Sequence, residues 1–177
     1  MGHHSHSRSL QCRHVDAGSC NGCEQELNAL TGSFYDMQHV GLDIVASPRH
    51  ADALIVTGPV SDTMMTPLRA VWAALPRPKR LVALGDCAAG YGVFQGAYAT
   101  RGGVEGSMRP PDVVIRGCPP TPAEILQGLT AVMDTLLEPS SFIDSQPSAD
   151  LVEARRIPPL EQPRGDQTPG DVGEREI

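Results

Sequence analysis

Four cysteines share one kind of sequence context. Cys20 and Cys23 stand in Asp16-Ala17-Gly18-Ser19-Cys20-Asn21-Gly22-Cys23-Glu24, Cys87 in Gly85-Asp86-Cys87-Ala88-Ala89-Gly90, and Cys118 in Gly117-Cys118-Pro119-Pro120. The spacing is C-x2-C-x63-C-x30-C. Each has a glycine within three residues. Glycine lets the backbone bend tightly and bring N–H groups close to sulfur. Those N–H groups stabilise thiolates and the negative charge of a cluster. Four thiolates suit zinc or iron–sulfur. Structural zinc usually takes two close cysteine pairs, and here only one pair is close. The set Cys20, Cys23, Cys87 and Cys118 therefore points to one [4Fe–4S] cluster and electron transfer. A zinc-stabilised interaction module is the alternative from another class. Cys20-Asn21-Gly22-Cys23 alone also fits a thioredoxin-like redox pair. Cys87 and Cys118 alone would pass for small buried hydrophobes. Each of those ideas explains two cysteines, and the cluster explains four. Cys12 lacks the glycine setting and is read as a non-ligand.

Convergence of distant cysteines needs a scaffold. Leu42–Ala46, Ala53–Thr57, Arg80–Leu84 and Asp112–Arg116 read as strands, with a further one before Asp16. Leu68, Val71, Trp72 and Leu75 recur at helical spacing, and Pro76 ends that helix. Thr121-Pro122-Ala123-Glu124 opens another, with apolar positions Ile125, Leu129, Val132, Met133, Leu136 and Leu137 on one face. Apolar strands alternating with helices predict a doubly wound α/β domain with a parallel sheet covered on both faces. The cysteines then fall just beyond strand C-termini, along the edge where such folds place ligands.

The chain has 177 residues, five cysteines, one lysine (Lys79) and a formal net charge of −7. That balance argues against nucleic acid. No apolar run reaches the ~18–20 residues of a membrane span. The start, MGHHSHSRSL, has no apolar signal region. His3, His4 and His6 read as a polar or tag-like segment. The odd cysteine count argues against a disulfide framework. Residues 1–12 are expected to be unstructured, 13–138 to form the cluster-binding domain, and 139–177 to be disordered or to lie on a partner. That last segment holds six prolines, eight acidic residues and four arginines.

The three cysteine motifs, with Asp52-Ala53-Leu54-Ile55-Val56-Thr57-Gly58-Pro59-Val60, resemble the small subunit of [NiFe] hydrogenases. The likeness is strongest to the single-cluster branch in membrane-bound group 4 enzymes, such as the formate hydrogenlyase small subunit. That branch is homologous to the B-type (20 kDa) subunit of NADH:quinone oxidoreductase. The resemblance covers roughly residues 13–137 and implies a flavodoxin-like fold. It implies one [4Fe–4S] cluster on Cys20, Cys23, Cys87 and Cys118, near a large partner subunit that carries the Ni–Fe or quinone site. It further implies other iron–sulfur and membrane subunits, and a cytoplasmic location on the inner face of the cell membrane through those partners. The C-x-x-C spacing favours the hydrogenase type, since B-type subunits have adjacent cysteines at that position. The chain's length and its lack of a twin-arginine signal are expected to separate it from uptake hydrogenases. The complex I-like quinone reductase subunit is the alternative.

Other residues carry weaker signals. Asp16, Glu24 and Glu26 flank the first cysteines. Glu24 is a candidate for proton transfer, set against an ordinary place in a helix's first turn. Asp86 is expected to accept backbone donors and shape its loop. His14, His39 and His50 are scattered. Arg101 and Arg116 read as solvated charge, with a partner or quinone headgroup as the other reading. Gly90-Tyr91-Gly92-Val93-Phe94 could pack on the cluster, the large subunit or its own loop. Gly102, Gly103 and Gly106 are too weak a phosphate signal, since no strand feeds them.

Overall fold

The computed structural model describes residues 9–137. The strands are β1 (Leu10–Asp16), β2 (Leu42–Ile44), β3 (Ala53–Thr57), β4 (Arg80–Leu84) and β5 (Val113–Ile115). The helices are α1 (Gly22–Ala29), α2 (Met65–Ala74), α3 (Gly103–Ser107) and α4 (Pro122–Leu137). The strands form one sheet in the order β2-β1-β3-β4-β5. Every neighbouring pair is parallel. This is the expected doubly wound, flavodoxin-like α/β arrangement.

The pleat explains the two cores. Ile55, Val82 and Leu84 face one side, where Leu27 of α1 and Ile125, Leu129 and Val132 of α4 cover them. Leu54, Val56, Leu81 and Ala83 face the other side, with Leu68 of α2 and Val104 of α3. Alternate residues of β3 and β4 thus go to opposite faces, and all of them are buried except Arg80. The start of α4 is a capping box. Thr121 N–H donates to Glu124 Oε2 at 2.8 Å, and Glu124 N–H returns to Thr121 Oγ1 at 3.4 Å.

Some boundaries differ from the sequence reading. β1 begins at Leu10, so residues 10–12 belong to the sheet and not to an unstructured start. Leu10 and Cys12 are fully buried, and burial among neighbours overrides the polar residues before them. β2 and β5 are each three residues long, shorter than their apolar runs. Gly103 and Gly106 lie in the short α3, and Gly102 caps its start. Residues 1–8 and 138–177 lie outside the described residues, and with them the expectations for the histidine-rich start and the acidic, proline-rich end.

The strand order decides where loops meet. From β1 the chain passes to β2 on one side and then to β3 on the other. Such a reversal opens a crevice at the strand C-termini. The loops after β1, β3, β4 and β5 all leave the sheet at that edge.

Candidate metal centre

Cys20 and Cys23 follow β1. Asp16 Oδ1 accepts from Gly18 N–H at 2.9 Å and Ser19 N–H at 2.8 Å, which turns the chain off the strand. Asn21 takes a left-handed conformation (φ 71°) and starts α1. Cys20 and Cys118 are exposed, while Cys23 and Cys87 are half-buried.

Two glycines show how closely these loops approach. A Cβ on Gly85, in the β4 loop, would lie 2.5 Å from Cys23 Sγ. A Cβ on Gly92 would run into Cys87 Sγ. Gly22 in turn sits beside both Cys20 Sγ and Pro119. The loops after β1, β4 and β5 are therefore in mutual contact, and the four cysteines share one edge.

The thiols feel one another. Burial and then Glu24 push Cys23 up to about 12, with Cys20, Cys87 and Cys118 adding to the rise. Burial and Cys118 raise Cys87, while the Phe94 and Val93 amides hydrogen-bond its sulfur and oppose that rise. The raised Cys23 and Cys87 thiols are neutral in the bare chain, and a bound metal group would have to displace their protons. Among the described residues, no three His, Cys, Asp or Glu side chains converge on a point that would hold one ion. Four cysteine sulfurs form a donor set that would suit an iron–sulfur group or zinc. Cys12 differs in kind. It is fully buried in β1, and its thiol is pushed up to about 12 by burial, then by Asp52 and Asp43.

Glu24 lies in the first turn of α1 and is 9% exposed. Among the described residues, neither of its carboxylate oxygens has a hydrogen-bond partner. His14 Nε2 is 3.8 Å from Glu24 Oε1 and 2.9 Å from Thr57 Oγ1. Burial lowers the His14 pKa, against a smaller opposing pull from Glu24. The sequence flagged Glu24 and His14 separately. Glu24 reaches His14 because α1 packs back over β1, and the His14–Thr57 bond depends on β1 and β3 being neighbours, which no local pattern reports.

Arg101 and Arg116 are not free charges. Arg101 Nε pairs with Asp62 Oδ1 at 2.5 Å, and Arg116 Nε pairs with Asp86 Oδ1 at 2.6 Å. Asp86 does accept a backbone donor, Gly117 N–H at 3.2 Å. The Arg116 bond and the Gly117 amide hold its carboxyl below the usual range. His39 and His50 sit exposed in turns beside β2, whereas His14 is half-buried in β1. Tyr91 and Val93 are exposed, and Phe94 is half-buried.

The family described as "NADH ubiquinone oxidoreductase, 20 Kd subunit" matches residues 20–132. The chain belongs to this family. Formate hydrogenlyase subunit 7 of Escherichia coli (strain K12) is 37% identical over 158 residues, covering 86% of this chain and 61% of that protein. The chain thus spans less than two thirds of that relative's length. The probable membrane-bound hydrogenase subunit mbhJ of Pyrococcus furiosus is 40% identical over 129 residues, 73% of this chain and 77% of that protein. The B-type subunit of NADH-quinone oxidoreductase from Geobacter metallireducens is 36% identical over 123 residues, 70% and 71% respectively. Among solved structures, an archaeal membrane-bound sulfane sulfur reductase complex contains a chain with a TM-score of 0.61 and 27% identity, covering 73% of this chain and 71% of that one. An NAD+-reducing [NiFe]-hydrogenase matches at a TM-score of 0.51 and 21% identity, covering 72% and 93%, which speaks to the fold alone. The family's members are subunits of oxidoreductase complexes, and a redox role follows for this chain in general terms.

Proposed function

We propose that Cys20, Cys23, Cys87 and Cys118 hold one [4Fe–4S] cluster, and that this chain relays electrons within a multi-subunit oxidoreductase. The carrying observation is the meeting of three cysteine loops at one sheet edge. The cluster would supply one-electron transfer. The chain's own residues do the rest. Gly85 and Gly92 leave room at two of the sulfurs. The Val93 and Phe94 amides point donors at Cys87. β1, β4 and β5 fix the three loops on a rigid frame.

The partner would be a large subunit carrying the active centre, with further iron–sulfur and membrane subunits. Among the described residues no helix is long and apolar enough to cross a membrane. Attachment to a membrane would then run through partners. The hydrogenase type is favoured by the C-x-x-C spacing and by the formate hydrogenlyase and membrane-bound hydrogenase relatives. The NADH-quinone oxidoreductase relatives favour a second reading, in which electrons pass to a quinone.

Anaerobic purification tests the cluster. A brown protein with broad visible absorption and about four irons per chain is expected. A colourless protein with one zinc would leave the interaction-module reading in its place. Co-purifying the partner separates the two redox readings. Two C-x-x-C pairs on it would supply nickel ligands, and their absence would favour the quinone reading.

A further inference from the structure

Asp86 directly precedes Cys87, and Arg116 lies two residues before Cys118. The β4–β5 register sets Leu84 beside Ile115, which carries Asp86 alongside Gly117. Asp86 N–H donates to the Gly117 carbonyl at 2.9 Å. Asp86 Oδ1 reaches the same loop again, accepting from Gly117 N–H at 3.2 Å and Arg116 Nε at 2.6 Å. The Asp86 carbonyl accepts from Tyr91 N–H at 2.8 Å and Gly92 N–H at 3.1 Å. Those two bonds close the turn that lays Gly92 against the Cys87 sulfur. Arg116 then lies over the Tyr91 ring, 4.5 Å from its centroid. One residue thereby ties the Cys87 turn to the Cys118 loop, and a cation stacked on an aromatic ring covers the tie.

The Arg116 side chain is 57% exposed, and exposed ion pairs add little to global stability. The location of this pair is the informative part. It joins two ligand loops that lie 30 residues apart in sequence. Outer partners of metal ligands characteristically orient those ligands.

We propose that Asp86 is a positioning residue for the metal centre, with Arg116 and Tyr91 as its clasp, setting how the Cys87 and Cys118 thiols face one another. The inference rests on the cluster reading above. It makes a distinctive demand. Losing either half of the clasp must loosen the site in the same direction, although the two losses change the local charge in opposite directions.

The test uses the full-length chain, purified anaerobically, with Asp86→Ala, Asp86→Asn and Arg116→Gln. Two readouts are taken: the rate at which a chelator strips iron, and hydrogen exchange of the Tyr91 and Gly117 amides in the metal-free chain. Asp86→Ala and Arg116→Gln should both lose iron about tenfold faster than wild type. Both should also speed Gly117 exchange, while Tyr91, whose amide is bonded to the Asp86 main-chain carbonyl, serves as the internal reference and should exchange as in wild type. Asp86→Asn, whose amide oxygen still accepts from Gly117, should fall between wild type and Asp86→Ala. Thermal midpoints should stay within a few degrees of wild type. Wild-type iron retention and exchange in both single variants would overturn the proposal. Iron loss that merely follows a lowered thermal midpoint would also overturn it. A wild-type chain without iron would refute the cluster reading instead, and the exchange data would still decide whether Asp86 ties the loops.

Discussion

Cys12 and Cys87 differ mainly in surroundings. Cys12 is enclosed by Leu10, Leu27 and Ile55 in the apolar core, and its thiol is pushed up to about 12. Thiolate is the reactive form, so Cys12 is expected to resist alkylation in the folded metal-free chain. A thiol count should then leave Cys12 unreacted when folded and reach five in denaturant; five in the folded state would contradict the burial. Gly92 makes a second prediction. Gly92→Ala places a methyl against Cys87 Sγ and 2.9 Å from the Cys87 amide nitrogen. Iron content should fall sharply while the far-ultraviolet dichroism of the sheet is retained. His14 gives a pH dependence. Its folded pKa is lowered from 6.5 by burial, with Arg13 adding and Glu24 and Asp16 opposing. Below 6.5 the unfolded chain takes up a proton that the folded chain resists, so this contribution to stability is present above that pH and lost below it. His14→Gln should therefore flatten the fall in denaturant midpoint between about pH 7 and pH 5. An equally steep fall in the variant would show that other groups govern it.

At the level of elements, β3 and β4 were the easiest to read. Their apolar runs are nearly continuous, because both faces are covered. α4 was legible from its cap and its apolar face together. β1 was harder to delimit, since Gln11, Arg13 and His14 interrupt it and its pairing with β2 and β3 supplies what its composition lacks. Arg116 and Arg101 are largely exposed, as expected of solvated charge, but their carboxylate partners were not legible for a similar reason. Each finds its carboxylate across a loop contact far away in sequence. The helices also separate stability from the site. Leu68 of α2 is fully buried against the face opposite α1 and α4. Leu68→Ala should cost roughly 2–5 kcal/mol in denaturant unfolding. Iron per folded chain should stay at the wild-type value, because α2 carries no proposed ligand.

For the whole molecule, the four cysteines mattered through placement more than number. C-x2-C-x63-C-x30-C says nothing of distance until the strand order brings three loops to one edge. The fold class and that edge were both readable in advance, since parallel α/β sheets put their ligands there. The His14–Thr57 contact and the Asp86 tie were not, since they depend on register between strands. Tyr91, Val93 and Tyr98 follow Cys87 along the chain and are each exposed. Family membership gives a redox role within a complex, and the cysteines carry the more specific proposal. Iron and acid-labile sulfide per chain, measured in the anaerobically purified wild type and in five single Cys→Ser variants, test that proposal most directly. The account predicts about four irons and four sulfides per chain in wild type and Cys12→Ser, with marked loss in the variants at 20, 23, 87 and 118. One zinc per chain, or undiminished iron in Cys87→Ser or Cys118→Ser, would contradict it.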